Sequence, residues 1–180
     1  MCNFKEKIYV IKGQNLKHIS RAGSMVNIGV GEMVKHKVAH KEDNGKFSVK
    51  EVLAPKYALH IDSFFRIYKE NELLIAKGDM FCPCNGIEQG KDFDIDNFDW
   101  EKQGSNALDA KIKEYLSSED LIVQEILLNN FNDLKIVFTN GICIEIFADC
   151  TEEQECWRFF EVGNSDKKHI VVTGKGIFEE

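Results

Sequence analysis

The chain has 180 residues and a formal net charge of −7, and 43% of its residues are hydrophobic. This length suits a single domain over residues 1–180, and the apolar content is enough for a sizeable core. Nucleic acids and anionic membranes require basic surfaces, so an acidic chain predicts neither as a partner. No apolar run is long enough to span a membrane and no signal sequence is present, so we expect a cytoplasmic protein.

The first part of the chain predicts a short helix followed by strands. Phe4, Ile8 and Ile11 recur at helical spacing and Gly13 follows them, which favours a helix at residues 4–12, with a strand as the alternative. We then predict strands at residues 16–20 and 25–34, with Gly23 and Ser24 between them.

The middle of the chain predicts two hairpins. Residues 35–56 are rich in lysine and histidine and contain Asn44-Gly45, which predicts a long loop or a hairpin insertion. Residues 57–68 are aromatic and β-branched, and a turn at 69–71 leads into a returning strand.

One segment, residues 106–117, has the pattern of an amphipathic helix. Asn106 is a suitable N-cap, and Leu108, Ile112, Tyr115 and Leu116 fall on one helical face. Five strands follow in quick succession, with connections too short for helical crossovers. The sequence therefore predicts the α+β class: a mainly antiparallel curved sheet or part-open barrel with one main helix.

Asn140-Gly141 predicts a two-residue hairpin turn between two of these strands. In that register the opposite pairs are Phe138–Cys143, Ile136–Glu145 and Leu134–Phe147. Glu145 then lies among apolar neighbours, and a buried carboxylate needs a partner or a raised pKa. Arg66 and Arg158 both lie in aromatic strands and suit such a pair.

Glu145 leaves two roles open. It is either half of a structural Glu–Arg pair or the acid of a pocket that serves a small molecule or a reaction. A curved sheet can enclose a cavity, and we predict that five side chains could line it. These are Glu145, His60, Trp157, Arg66 and Arg158.

Residues 92–103, DFDIDNFDWEKQ, concentrate acidic side chains. An EF-hand is excluded because its turn glycine and final glutamate are replaced by Asn97 and Gln103. The alternation of acids instead predicts a strand-like edge with one wet face. This edge is either a solvated rim or a docking surface for a basic protein, formed by Asp92, Asp94, Asp96, Asp99, Trp100 and Glu101.

No motif predicts a metal, a cofactor or a catalytic centre. The Cys82-Pro83-Cys84 pair lacks the second pair of a zinc site, and His36 and His40 lack the glutamate of H-E-x-x-H. The glycine pairs lack the spacing of nucleotide-binding loops, and G-x-S-x-G is missing. We therefore lean towards a protein that is not an enzyme.

Three stretches carry a resemblance to a known group of proteins. They are YALHIDSFFRI (57–67), FDWEKQGSNALDAKIKEYL (98–116) and IEIFADCTEEQECWRFFE (144–161). With them, the chain from about residue 19 onward resembles an uncharacterised family of small acidic bacterial cytosolic proteins, and some neighbours of that family look like immunity proteins. The resemblance implies no catalytic residue, and residues 35–56 depart from it as an insertion.

Together these features predict a non-enzymatic, immunity-like protein that binds a basic partner through its acidic surface. The alternative is a small-molecule binding protein or an enzyme with a pocket acid at Glu145. The two hypotheses place the functional acidic side chains differently. The first needs them on the surface, and the second needs one inside a pocket.

Overall fold

The computed structural model describes residues 4–42, 45–84, 94–116, 121–164 and 168–180. Two antiparallel sheets and one main helix make up most of these residues, which confirms the predicted α+β class. Within the described ranges the sheets do not close into a barrel, so the fold is an open, curved one.

The elements follow one another in this chain order: α1 (Phe4–Tyr9), β1 (Leu16–Ala22), β2 (Met25–Lys41), β3 (Phe47–Ile61), β4 (Phe65–Lys69), β5 (Glu72–Ala76), a 3-10 helix (Lys77–Phe81), α2 (Ala107–Leu116), β6 (Val123–Leu128), β7 (Leu134–Phe138), β8 (Ile142–Ile146), β9 (Glu155–Glu161), β10 (Ile170–Thr173) and β11 (Gly176–Glu179). Six strands form one sheet in the order β1-β2-β3-β9-β10-β11. The other five form a second sheet in the order β5-β4-β8-β7-β6.

The core lies between the two sheets. Alternate residues of each strand point inward, so that Ile67, Ile144 and Ile136 form one buried row across the five-stranded sheet. The six-stranded sheet contributes Leu59 and Trp157 to the same cluster. Burial of this apolar surface is the main favourable term in folding.

Backbone hydrogen bonds join the two sheets along one side. The Gly13 N–H donates to the Val123 carbonyl at 2.8 Å, and the Val123 N–H donates to the Gln14 carbonyl at 2.9 Å. The Leu16 N–H donates to the Leu121 carbonyl at 2.8 Å. The segment between α1 and β1 therefore covers part of the edge of β6.

Helix α2 begins as the sequence predicts. The Asn106 side-chain oxygen accepts the Asp109 N–H at 3.0 Å, the contact expected of an N-cap. The helix is described to Leu116, and residue 117, the last of its predicted range, lies outside the described residues.

The hairpin of β7 and β8 corrects the predicted register by one residue. Lys135 lies opposite Glu145, Val137 opposite Cys143 and Leu134 opposite Ile146. The Gly141 N–H closes the turn on the Phe138 carbonyl at 3.0 Å, and Gly141 has a φ of +85°. The loop therefore has three residues and ends in a glycine bulge, where we predicted a two-residue turn.

The register shift changes the face on which Glu145 lies. Because side chains alternate across a strand, a slip of one residue moves every side chain to the other face. The prediction that Glu145 faces apolar neighbours is therefore wrong, and its side chain lies on the outer face of the five-stranded sheet.

Candidate functional site

The acidic segment forms turns where the sequence predicted a strand-like edge. Asp94 accepts the Asp96 N–H at 3.0 Å and the Asn97 side-chain amide at 2.6 Å. Asp99 accepts the Glu101 and Lys102 N–H groups at 3.0 and 3.1 Å. Aspartate commonly closes turns in this way, so two of the acids have a local structural role. Asp92 lies outside the described residues.

The remaining acids are exposed on these turns. Asp96 and Glu101 point into solvent, and the Phe98 and Trp100 rings meet edge to face at 4.5 Å between them. The hydrogen bond from Asn97 holds the pKa of the Asp94 carboxyl below its usual value. We refer to Asp94, Asp96, Asp99, Trp100 and Glu101 as the acidic surface.

A buried arginine, Arg21, anchors this surface, and no sequence pattern predicted this role. Arg21 forms a two-pronged ion pair with Asp109, with distances of 2.8 and 3.0 Å, and it also donates to the Lys102 carbonyl at 3.0 Å. Only 3% of its side chain is exposed. Only three of the 23 lysines and arginines in the chain are arginines. Arginine suits a buried two-pronged pair with a carboxylate better than lysine does, so this scarcity was the available signal for Arg21.

Glu145 lies at the centre of a polar cluster on the outer face of the five-stranded sheet. Arg66 donates to it at 2.7 Å, the Tyr68 hydroxyl donates at 2.7 Å, and Lys135 lies 3.5 Å away. Burial alone would raise the pKa of Glu145. The hydrogen bonds from Tyr68 and Arg66 and the two positive charges outweigh burial, so its pKa falls below the usual value. Glu145 is thus half of an ion pair and stays ionised.

His60 and Arg158 lie opposite each other on the outer face of the six-stranded sheet. Arg158 binds Glu155 with two hydrogen bonds, one of them at 2.6 Å, and its third nitrogen lies 3.3 Å from His169. Phe160 separates the histidines, with its ring 4.8 Å from His60 and 4.3 Å from His169. Burial, followed by the charge of Arg158, lowers the pKa of both histidines.

The five candidate pocket residues thus occupy three places. Glu145 and Arg66 are together on one sheet, His60 and Arg158 are together on the other, and Trp157 is completely buried in the core. The Trp157 indole donates to the Asn132 carbonyl at 3.2 Å. The structure does not bring the five into one cavity.

Residues 35–56, which the sequence predicted as a long loop or a hairpin insertion, belong to a hairpin that forms an extended arm. Residues 33–41 of β2 pair with residues 47–55 of β3 in nine opposite pairs, from Met33–Pro55 to Lys41–Phe47. At ~3.4 Å per residue this ribbon is about 27 Å long. The neighbouring strands stop short of it, because β1 pairs only as far as Val30 and β9 only as far as Tyr57.

One face of the arm carries a row of exposed apolar side chains. Phe47 is 74% exposed, Val49 70%, Leu53 61% and Met33 50%. All four belong to opposite pairs that share this face. The opposite pair Lys37–Glu51 interrupts this row between Leu53 and Val49. Large exposed apolar patches mark interaction surfaces, whereas single exposed apolar side chains carry no such meaning.

The arm is also positively charged on an acidic protein. Residues 33–55 hold five lysines and three acidic residues, a net charge of +2, while the whole chain carries −7. Three of the lysines, Lys35, Lys37 and Lys41, lie on the same face as the apolar row. Basic and apolar groups therefore occur together on one surface.

Comparisons with family models, with curated proteins and with solved structures find no match for this chain. The resemblance to small acidic bacterial proteins therefore stays a prediction. Among the described residues, no helix is long and apolar enough to cross a membrane. In the same residues, no group of three or more His, Cys, Asp or Glu side chains could hold a metal ion.

Proposed function

We propose that this chain is a non-enzymatic binding protein and that the arm, residues 33–55, is the element that binds its partner. The observation that carries the proposal is the exposed row of Met33, Phe47, Val49 and Leu53. Burying four large apolar side chains against a partner is favourable in proportion to the apolar area removed from water.

The arm's own stability supports a binding role. In the described parts of the chain no third strand pairs with residues 33–41 or 47–55, so both edges present unpaired backbone groups. A two-stranded ribbon is at best marginally stable in water. An exposed strand edge also invites pairing with another chain, and natural proteins usually protect such edges. A partner that covers the arm would stabilise it and remove this liability.

Charge indicates which chemistry the partner has. The five lysines of the arm would attract an acidic protein surface and repel a basic one. The partner that fits is therefore an acidic protein with an apolar groove or an open strand edge. Because the lysines are exposed, we expect its association rate to fall as salt is added.

The acidic surface is a second candidate interface, for a basic protein. The Phe98–Trp100 contact favours it, because aromatic side chains are enriched where proteins bind each other. The resemblance to immunity proteins also supports this role. The absence of catalytic motifs in the sequence supports a binding function for either surface.

The role of the arm is tested by replacing exposed apolar side chains with acidic ones, a change that should not disturb the fold. We would capture partners from a lysate of the source organism with the native chain, identify them, and measure the affinity of the purified partner by calorimetry. The double variant Val49→Glu, Leu53→Glu should weaken binding by about tenfold or more. Both side chains are exposed, so the free energy of unfolding should change little.

The matched control is Leu73→Glu with Leu127→Glu, which replaces two exposed leucines on the other sheet. It adds the same charge and should leave the affinity within about twofold of the native value. Equal affinities for the native chain and the arm variant would contradict the proposal. Binding of the arm to anionic vesicles or DNA, with no protein partner, would contradict it too.

A further inference from the structure

A cavity of about 380 Å³ lies where helix α1 meets one end of the six-stranded sheet. Its walls come from inward-facing positions of β3, β9 and β10 and from Val10, just after α1. Pockets for small molecules typically measure about 300–1,000 Å³. This cavity is separate from the apolar row of the arm and from the Glu145 cluster.

Two aromatic side chains, Tyr57 and Phe159, line one side of the cavity. The Tyr57 and Phe159 rings lie nearly parallel, with centroids 5.9 Å apart and planes inclined by 20°. Val10, Phe160 and Ile170 complete the apolar lining. Aromatic side chains favour offset stacking with another ring, so this wall suits a planar apolar body.

The remaining lining residues carry charges of both signs. Lys7 and Lys168 face the cavity together with Glu161 and Glu179. The Lys7 ammonium and the Glu179 carboxylate are 2.8 Å apart, and about a third of each side chain is exposed. A ligand with a single charge would be attracted by two of these groups and repelled by the other two. A ligand with both charges can face an opposite charge at each end.

We propose that this cavity binds a small aromatic zwitterion of the size of an aromatic amino acid. The ring stacks against Tyr57 and Phe159, the carboxylate faces the lysines, and the ammonium group faces the glutamates. Charged hydrogen bonds of this kind are about twice as strong as neutral ones, so they orient the ligand while the ring supplies apolar contact.

The test uses calorimetry and ligand-detected NMR with L-phenylalanine and L-tryptophan on the full chain. We expect saturable binding of at least one of them. Phenethylamine and 3-phenylpropionate each lack one charge, and glycine lacks the ring. All three should bind about tenfold more weakly or worse. No saturable binding of either amino acid at millimolar concentration would overturn the proposal.

The site is located with a variant that fills the cavity. Val10 is 44% exposed, so Val10→Trp can occupy the space without disrupting the core, and it should weaken binding about tenfold. Val49→Trp, on the distant arm, is the matched control and should bind like the native chain. A thermal unfolding curve shows that each variant is folded. Native affinity in Val10→Trp would show that the ligand does not bind in this cavity. Equal binding of a singly charged analogue would show that the site does not require a zwitterion.

Discussion

Each of the three arginines binds a carboxylate, but the surroundings differ. Arg21 holds Asp109 with 3% of the arginine side chain exposed, whereas Arg66 holds Glu145 with 52% exposed. Removing one partner of a buried pair leaves a charge without solvent or counter-ion. An exposed partner is replaced by water, so the same contact contributes much less.

The variant Arg21→Ala should therefore lower the free energy of unfolding by about 3–5 kcal/mol. It leaves Asp109 partly buried and removes the hydrogen bond to the Lys102 carbonyl, which loosens the base of the acidic surface. Arg66→Ala is the matched control and should cost only about 1 kcal/mol. Urea unfolding of both variants measures the difference, and equal losses would contradict the distinction between the two pairs.

The histidines beside Arg158 predict a dependence of stability on pH. Burial and Arg158 lower the folded-state pKa of His60 and His169 below the value of about 6.5 expected in the unfolded chain. As the pH falls through 6.5, the unfolded state therefore binds more protons and the folded state becomes less stable. Glu155, Asp62 and Glu180 also face the histidines and partly oppose this effect.

We expect the free energy of unfolding to decrease between pH 7 and pH 5, and to decrease less in the double variant His60→Gln, His169→Gln. Urea unfolding at several pH values measures both curves. His18→Gln is the control, because this histidine lies on an exposed part of β1. Parallel curves for the native chain and the double variant would show that these two histidines do not titrate differently on folding.

At the scale of elements, a bulge at the base of the arm connects it to the sheet. The pairing of β2 with β3 shifts register between Val30 and Met33, and Gly31 within this bulge has a φ of +97°. A side chain is strained at such an angle, and a Cβ on Gly31 would lie 3.3 Å from the Tyr57 ring. The bulge bends the strand and increases its twist, so it sets the direction of the arm.

The variant Gly31→Ala should lower the free energy of unfolding by about 1–3 kcal/mol, because alanine must adopt the strained angle. Gly78→Ala is the matched control: a Cβ on Gly78 would meet no atom within 4 Å and Gly78 has no positive φ, so alanine should be neutral or slightly stabilising. Thermal unfolding of both variants checks the prediction. A loss in Gly31→Ala no larger than in Gly78→Ala would show that the bulge relaxes without cost.

Across the whole molecule, local sequence patterns predicted the class of fold. They did not predict a strand register that shifts by one residue, or an ion pair between residues far apart in the sequence. The helical spacing of α2 and its Asn106 cap are local, and both were predicted correctly. The sequence Asn140-Gly141 is compatible with a two-residue loop and with a bulged three-residue loop. It therefore could not predict on which face of the sheet Glu145 lies. The partner of Arg21 is 88 residues away, and no local pattern indicates it.

The two candidate interfaces lie towards opposite ends of the hairpin of β2 and β3. The start of β2 lies opposite Arg21, which donates to the Lys102 carbonyl beside the acidic surface. The arm occupies the far end of the same two strands. Sites this far apart, about 20 Å or more at the rise of a β-strand, usually act independently. A change in one interface should therefore leave the other intact.

This independence gives a direct test of the acidic surface. Asp96→Lys with Glu101→Lys changes only exposed acids and preserves Asp94 and Asp99, which close the turns. Binding of a lysine-rich peptide at ~0.1 M salt, followed by fluorescence anisotropy, should weaken about tenfold.

The control for this test is Glu72→Lys with Glu125→Lys, which reaches the same net charge by changing exposed acids of the five-stranded sheet. If only the net charge matters, both variants lose affinity equally, and the acidic surface is a solvated rim. If the acidic surface binds the peptide, the control should lose less than about threefold, because charges beyond a Debye length of about 8–10 Å are screened from the bound peptide. The arm variant Val49→Glu, Leu53→Glu should then bind the peptide no more weakly than the native chain, since it adds negative charge far from the acidic surface.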